Sequence, residues 1–232
     1  MFSFVPSFQE ALPAIPPLET VYDERPEPQD LSEDLKEEGS LFVFIVDRSG
    51  SMAGSKMEVT KEAVVLFLKS LPPSARFDII SFGSSFSHMC KDSSGFEYND
   101  ANVQNAITQV KGFSADLGGT EIFEPLKSTF EKMVTSSDRS VKKIFLLTDG
   151  EVSSPDKVVA LARQAAMGSS CRIHTFGVGS DCSVSLVSQV AAAGKGTCSL
   201  VVDNKELRPV VVQALARAQE PQYSNCRVTI KP

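Results

Sequence analysis

The chain has 232 residues, of which 42% are hydrophobic, and this length and composition predict one sizeable core rather than two. No apolar run approaches the roughly 20 residues that a membrane-spanning helix needs, and the N-terminus lacks the basic and apolar regions of a signal peptide. The formal net charge is −6, and residues 1–40 carry ten of the 29 acidic residues but two of the 23 basic ones. The remainder is nearly neutral and has no basic stripe, which argues against nucleic-acid binding.

The cysteines indicate the compartment. There are five, they are widely spaced, and no two form a CxxC pair. This pattern predicts reduced thiols rather than a disulfide framework or a zinc site, and therefore an intracellular, cytoplasmic protein.

Residues 1–39 are predicted to form an acidic, proline-rich N-terminal arm. Residues 1–40 hold six of the thirteen prolines, which disfavours regular structure, although 31–38 could form a short helical turn. Apolar residues such as Phe2, Phe4 and Phe8 favour an arm that lies on another surface over plain disorder, and both alternatives stay open.

Strands and helices then alternate. Apolar runs and alternation predict strands at 41–46, 76–82, 86–90, 143–147, 171–178 and 197–202, with a further short strand at 226–230. Helical spacing predicts helices at 56–71, 99–110, 122–134, from 154/155 onward, 184–193 and 207–218. The order predicts an α/β fold with a doubly wound, mostly parallel, Rossmann-like six-stranded sheet, helices on both faces and one antiparallel edge strand. The domain is predicted to span 40–220, followed by a short C-terminal strand extension at 221–232.

Oxygen-bearing side chains follow the predicted strands at one edge of this sheet. Asp47, Ser49 and Ser51 follow the first strand at a spacing of two, Thr120 ends a loop rich in small residues, and Asp149 follows the fourth strand. Each residue alone fits a helix cap or a turn, but together they form an all-oxygen set that favours Mg²⁺, Mn²⁺ or Ca²⁺ over zinc.

This pattern resembles the von Willebrand factor A (vWA) domain with its metal-ion-dependent adhesion site, and the resemblance covers roughly residues 40–220. The family motif Asp-x-Ser-x-Ser, with a later Thr and Asp, matches Asp47-Arg48-Ser49-Gly50-Ser51, Thr120 and Asp149. The resemblance implies that Ser49, Ser51 and Thr120 contact the ion directly and that Asp47 and Asp149 act mainly through waters. It also implies that a protein partner supplies an Asp or Glu.

Longer motifs narrow the resemblance. These are Val-Asp-Arg-Ser-Gly-Ser-Met, Phe-Leu-Lys-Ser-Leu-Pro, Phe-Asp-Ile-Ile-Ser-Phe-Gly-Ser, Ala-Asp-Leu-Gly-Gly-Thr-Glu-Ile and Leu-Leu-Thr-Asp-Gly-Glu-Val. They are similar to the intracellular group in which a vWA domain follows a VIT (vault-protein/inter-α-trypsin-inhibitor) domain, as in vault poly(ADP-ribose) polymerase. Residues 1–40 are too few for a VIT domain, so we expect either part of a larger multi-domain protein or a member without VIT.

Three functions remain open. The first is a non-enzymatic, cation-dependent protein-interaction module. The second is a structural vWA domain packed in a large intracellular assembly, with a vestigial metal site. The third is a Mg²⁺-dependent phosphoaspartyl-type hydrolase with Asp47 as nucleophile; against it, position 49 is Ser where that chemistry uses Asp, and no lysine is evidently placed for it.

Other residues carry weaker signals. Sequence spacing proposes no Ser–His–Asp arrangement, and His88 and His174 are interpreted as satisfied or exposed histidines. Cys182 is interpreted as an ordinary loop thiol. The glycines at 177 and 179 do not complete a dinucleotide-binding motif. Arg48, Glu121 and Glu151 are expected near the metal site, where Arg48 either contacts an acidic partner or is solvated.

Overall fold

The computed structural model describes residues 39–135, 140–150, 152, 154–168, 171–203 and 205–220. Residues 1–38 of the predicted N-terminal arm, with its helical turn, lie outside these residues, as do Glu151 and the strand predicted at 226–230. Among the described helices, none is long and apolar enough to cross a membrane.

Strands and helices alternate in the order that the sequence predicts. The strands are β1 (Leu41–Asp47), β2 (Arg76–Phe82), β3 (Phe86–His88), β4 (Phe96–Glu97), β5 (Lys142–Thr148), β6 (Cys171–Val178) and β7 (Lys195–Val201). The helices are α1 (Ser55–Ser70), α2 (Asp100–Lys111), α3 (Phe123–Thr135), α4 (Pro155–Gly168), α5 (Val184–Ala193) and α6 (Leu207–Gln219), with a 3₁₀ turn at Gly50–Met52. Most boundaries agree with the predictions within two residues.

The strand order is β3-β2-β1-β5-β6-β7, and β1, β2, β5, β6 and β7 are parallel. The predicted doubly wound, mostly parallel α/β sheet is therefore confirmed. The edge beside β2 differs in detail, because two short antiparallel strands share it: β3 pairs with the end of β2 and β4 pairs with its start. β4 has only two residues and no alternating pattern, so the sequence does not predict it.

The sheet has a buried core on each face. In β1, Phe42, Phe44 and Val46 point to the face covered by α1, α2 and α6, whereas Leu41 and Val43 point to the face covered by α3, α4 and α5. This burial on both sides explains why β1 is apolar without interruption.

Phe67 of α1 fixes that helix to the sheet. Its ring lies 5.3 Å from the ring of Phe44, 4.7 Å from Phe145 and 5.1 Å from Phe176, measured between centroids. Truncating a fully buried phenylalanine costs about 3–5 kcal/mol, so these contacts hold the orientation of α1 firmly.

Candidate metal and partner-binding site

The order of the strands creates a crevice at the carboxyl ends of β1 and β5. The chain leaves β1 toward β2 on one side and returns to β5 on the other, so the winding of the sheet reverses between β1 and β5. Val46 lies beside Leu147 in the parallel register, which places Asp47 and Asp149 at the same edge. Open α/β sheets bind ligands at such a switch point.

Asp47 is buried and both of its carboxylate oxygens accept hydrogen bonds. Oδ1 accepts from the Ser49 backbone N–H at 2.8 Å, and Oδ2 accepts from the Thr148 hydroxyl at 2.6 Å. Burial raises the pKa of Asp47, while the hydrogen bonds from Ser49 and Thr148 act in the opposite direction. Thr148, which the sequence analysis missed, thus orients the first carboxylate.

The hydroxyls of Ser49 and Ser51 lie 3.1 Å apart. Ser49 precedes the 3₁₀ turn Gly50–Met52, and this turn brings the two hydroxyls to the same side of the loop. Two adjacent ligands of an octahedral Mg²⁺, each at about 2.1 Å, would be about 3.0 Å apart. The pair therefore fits a small divalent ion.

The loop that carries Thr120 is docked on the Asp47–Ser51 loop by backbone hydrogen bonds. Gly50 N donates to Gly118 O at 2.7 Å, and Leu117 N donates to Arg48 O at 3.0 Å. Gly118 has a φ of 78°, a left-handed conformation that favours glycine. Thr120 is half-buried, two residues beyond this contact.

Arg48 has a different role from the two that the sequence suggested. Its guanidinium donates to Ser114 O at 3.0 Å and to Asp116 Oδ1 at 2.6 Å, and it lies 4.6 Å from the centre of the Phe113 ring. Arg48 is therefore neither a solvated side chain nor free for an acidic partner. It holds the Thr120 loop against the loop that carries Asp47.

Asp149 is buried beside a lysine that the sequence analysis did not place here. Lys56 Nζ, from the first turn of α1, donates to Asp149 Oδ2 at 3.0 Å and to Asp181 Oδ2 at 2.8 Å. Burial by itself would lower the pKa of Lys56, but the hydrogen bonds to Asp181 and Asp149 raise it. No local pattern indicates these contacts, because Asp149 and Asp181 lie 93 and 125 residues from Lys56 in the sequence.

The donor set of this site is hard and all-oxygen. Within the described ranges, no three His, Cys, Asp or Glu side chains come close enough to hold an ion together. The predicted ligands are two carboxylates and three hydroxyl groups, a set that suits Mg²⁺, Mn²⁺ or Ca²⁺. Glu121 is exposed near this site.

A second polar cluster is a Ser–His–Asp arrangement that the spacing in the sequence does not reveal. His88 Nδ1 lies 3.2 Å from Asp78 Oδ2, and His88 Nε2 lies 3.0 Å from Ser128 Oγ. Both ring nitrogens of His88 lie within hydrogen-bonding distance of a partner, which agrees with the interpretation of His88 as a satisfied histidine. However, Ser128 lies within α3, and the adjacent cavity of about 10 Å³ is too small for an acyl group.

The remaining singled-out residues lack catalytic features. His174 is buried and stacks on Phe145 at 5.0 Å, and burial lowers its pKa to about 4. Its Nδ1 lies 2.9 Å from Thr197 Oγ1, but its Nε2 has no hydrogen-bond partner among the described residues, so the interpretation of His174 as satisfied or exposed is wrong. Burial raises the pKa of Cys182 to about 11, which disfavours the reactive thiolate and agrees with an ordinary loop thiol.

Comparison with known proteins identifies the family. The model of the von Willebrand factor type A domain matches residues 41–200, so the chain belongs to this family. A von Willebrand factor A domain-containing protein of Dictyostelium discoideum is 35% identical over 189 residues, which is 82% of this chain and 20% of that protein. Human von Willebrand factor A domain-containing protein 5B1 is 32% identical over 203 residues, which is 88% of this chain and 16% of that protein. The chain thus spans a fifth or less of these two relatives.

Solved structures share the fold. A von Willebrand factor type A protein from Catenulispora acidiphila superposes with a TM-score of 0.67 at 23% identity, covering 78% of this chain and 43% of that one. Proximal thread matrix protein 1 from the mussel byssus, solved with a zinc-occupied MIDAS motif, gives a TM-score of 0.62 at 15% identity, covering 78% of this chain and 48% of that one.

Proposed function

We propose that this chain is a divalent-cation-dependent protein-interaction domain. Asp47, Ser49, Ser51, Thr120 and Asp149 hold Mg²⁺, or alternatively Mn²⁺ or Ca²⁺, and a partner protein supplies an Asp or Glu as the remaining ligand. The observation that carries the proposal is the 3.1 Å separation of the Ser49 and Ser51 hydroxyls beside a buried Asp47. The zinc-occupied MIDAS of the mussel protein supports it by analogy of fold.

The same proposal covers the setting of the domain. We propose a non-enzymatic module of a larger intracellular, cytoplasmic protein of the VIT/vWA group. The chain matches 20% and 16% of the length of the two relatives, which supports a larger, multi-domain protein.

Binding is favoured over phosphoryl transfer because of the state of Asp47. A nucleophilic carboxylate needs an oxygen directed at the substrate, whereas both Asp47 oxygens accept hydrogen bonds from the protein. Position 49 offers a hydroxyl rather than a carboxyl for proton transfer. Lys56 does reach the site, so an assay with p-nitrophenyl phosphate and Mg²⁺ is still required, and we expect no Asp47-dependent turnover.

Metal titration tests the proposal. By isothermal titration calorimetry, we expect Mg²⁺ and Mn²⁺ to bind the parent chain and not the double variant Asp47→Ala/Ser49→Ala. A matched control is Ser74→Ala/Glu97→Ala, which removes one hydroxyl and one carboxylate beside the amino end of β2, at the opposite edge of the sheet. Equal metal affinity in all three proteins would refute the proposal.

Partner capture tests the second half. We expect proteins retained from a cell extract by the immobilised parent chain in Mg²⁺ to be released by EDTA and absent with the double variant. Capture that is insensitive to both EDTA and the double substitution would instead support a structural domain with a vestigial metal site.

A further inference from the structure

Lys56 connects the interior of the metal site to the surface. Its ammonium group bridges Asp149, whose side chain is 1% exposed, and Asp181, whose side chain is 62% exposed. One ammonium therefore bonds a carboxylate inside the site and a carboxylate in solvent at the same time.

A metal ion and this ammonium group would compete for the same carboxylate. Asp149 Oδ2 accepts a hydrogen bond from Lys56 Nζ at 3.0 Å, so the ammonium group neutralises this carboxylate. Two cations a few ångströms apart repel one another strongly in a partly buried site. An ion that draws on Asp149 thus weakens the hold of Lys56 on that carboxylate.

Asp181 is a second hydrogen-bond acceptor for the displaced ammonium group. Lys56 already donates to Asp181 Oδ2 at 2.8 Å, and its flexible four-carbon stem can keep that bond while Nζ leaves Asp149. No backbone movement is needed for this exchange.

Gly179 provides the space through which the lysine stem passes. Its φ is 95°, and a Cβ added there would lie 2.8 Å from Lys56 Cε and 2.9 Å from Asp181 Oδ1. A larger residue at position 179 would need a strained backbone, and its Cβ would require the flexible ends of Lys56 and Asp181 to shift.

We propose that Lys56 competes with the metal ion for Asp149. Its ammonium group neutralises Asp149 when the ion is absent and bonds Asp181 alone when the ion binds. This inference rests on the proposed function, because it assumes that the ion binds at the Asp47–Asp149 site. It assigns metal-tuning roles to Lys56 and Asp181, neither of which needs to coordinate the ion.

The test uses two substitutions with opposite expected effects. Lys56→Met keeps the length of the side chain and removes its charge, so we expect Mn²⁺ to bind about tenfold more tightly by calorimetry. Asp181→Asn removes the second place for the ammonium group, so Lys56 stays on Asp149 and we expect Mn²⁺ to bind several-fold more weakly. Lys61→Met is the matched control, because Lys61 also lies on α1 but pairs with Glu58, and its Mn²⁺ affinity should equal that of the parent.

A second readout does not depend on affinity. In EDTA, Lys56→Met should melt at a lower temperature than the parent, because Asp149 loses its ammonium partner, and saturating Mg²⁺ should close this gap. If the parent chain binds Mn²⁺ but Lys56→Met binds it no more tightly, the competition is refuted and the proposed function stands. If the parent binds neither Mn²⁺ nor Mg²⁺, the proposed function fails and this inference fails with it.

Discussion

At the scale of single residues, hydrogen bonds fix the Asp47 carboxylate within the candidate site. Thr148 is the clearest case, because its hydroxyl donates to Asp47 Oδ2 at 2.6 Å and accepts from the Gly150 N–H at 2.9 Å. The Thr148 hydroxyl thereby orients the Asp47 carboxylate and stabilises the turn after β5.

Thr148→Val should lower the free energy of unfolding by about 1–3 kcal/mol, because the buried Asp47 carboxylate loses a donor without a change in side-chain shape. Urea unfolding in EDTA measures this effect without a contribution from metal. Thr108→Val is a suitable control, since Thr108 is exposed on α2 and donates only within its own helix. A loss no larger than that of the control would show that Thr148 does not support Asp47.

His174 couples stability to pH. Burial lowers its pKa to about 4 from 6.5, with Arg172 and Lys143 acting in the same direction, so the folded state keeps the ring neutral. The unfolded chain takes up a proton below pH 6.5, and the folded protein should therefore lose stability as the pH falls from about 6.5 to about 4, by about 3 kcal/mol from this group.

His174→Phe should remove this part of the pH dependence, because phenylalanine cannot take up a proton and can still stack on Phe145. Urea unfolding of both proteins between pH 7 and pH 4.5 in EDTA gives the comparison, in which the other titrating groups largely cancel. Parallel stability curves would show that His174 is not the group responsible.

At the scale of elements, two loops are joined by one arginine. Arg48 follows Asp47 directly, and its guanidinium bonds Ser114 and Asp116 of the loop that ends at Thr120. Since Asp116 is exposed, the ion pair itself adds little to stability, and we expect its main effect on the placement of Thr120.

Arg48→Ala should therefore weaken Mn²⁺ binding by a few-fold with little change in the melting temperature in EDTA. Asp116→Asn should show a smaller effect of the same sign, because the bond to Ser114 remains. Lys127→Ala on α3 is the control, since Lys127 pairs with Glu131 at 3.8 Å. Unchanged affinity in Arg48→Ala would mean that Thr120 is positioned by the backbone contacts alone.

The Asp78–His88–Ser128 cluster ties β2, β3 and α3 together. His88→Ala should lower the free energy of unfolding by about 1–2 kcal/mol, because the buried Asp78 loses a partner. A fluorophosphonate probe should leave Ser128 unlabelled in the parent chain, with Ser128→Ala as the reference. Labelling that disappears in that variant would reveal a hydrolase site in place of a structural link.

The structure also shows which relationships the sequence could reveal. Asn99 caps α2 by accepting a hydrogen bond from Asn102 N at 2.9 Å, a contact between residues three apart of the kind that a local pattern can reveal. The pairing of Asp47 with Asp149 followed from strand ends, because parallel strands share an edge. Lys56 and Asp181 are 125 residues apart, and His88 and Ser128 are 40 apart, so their meeting depends on packing that no local pattern encodes.

At the scale of the whole molecule, the reversal of the winding between β1 and β5 concentrates the predicted ligands at one edge of the sheet. The two faces of the sheet carry the two cores, in which the described aromatic side chains are mostly buried. Loss of metal should therefore alter the crevice without unfolding the domain, which the melting experiments in EDTA also measure.

The packing of Phe67 has a consequence for the speed of the metal response. Because Phe67 packs α1 against Phe44, Phe145 and Phe176, we expect the helix to stay in place and Lys56 to leave Asp149 by rotation about its own side-chain bonds. Such rotations take picoseconds to nanoseconds, whereas collective shifts of packed elements take microseconds to milliseconds. In stopped-flow mixing with Mn²⁺, the observed rate should therefore rise linearly with ion concentration and reach no plateau, since no slow rearrangement of the fold precedes or follows capture.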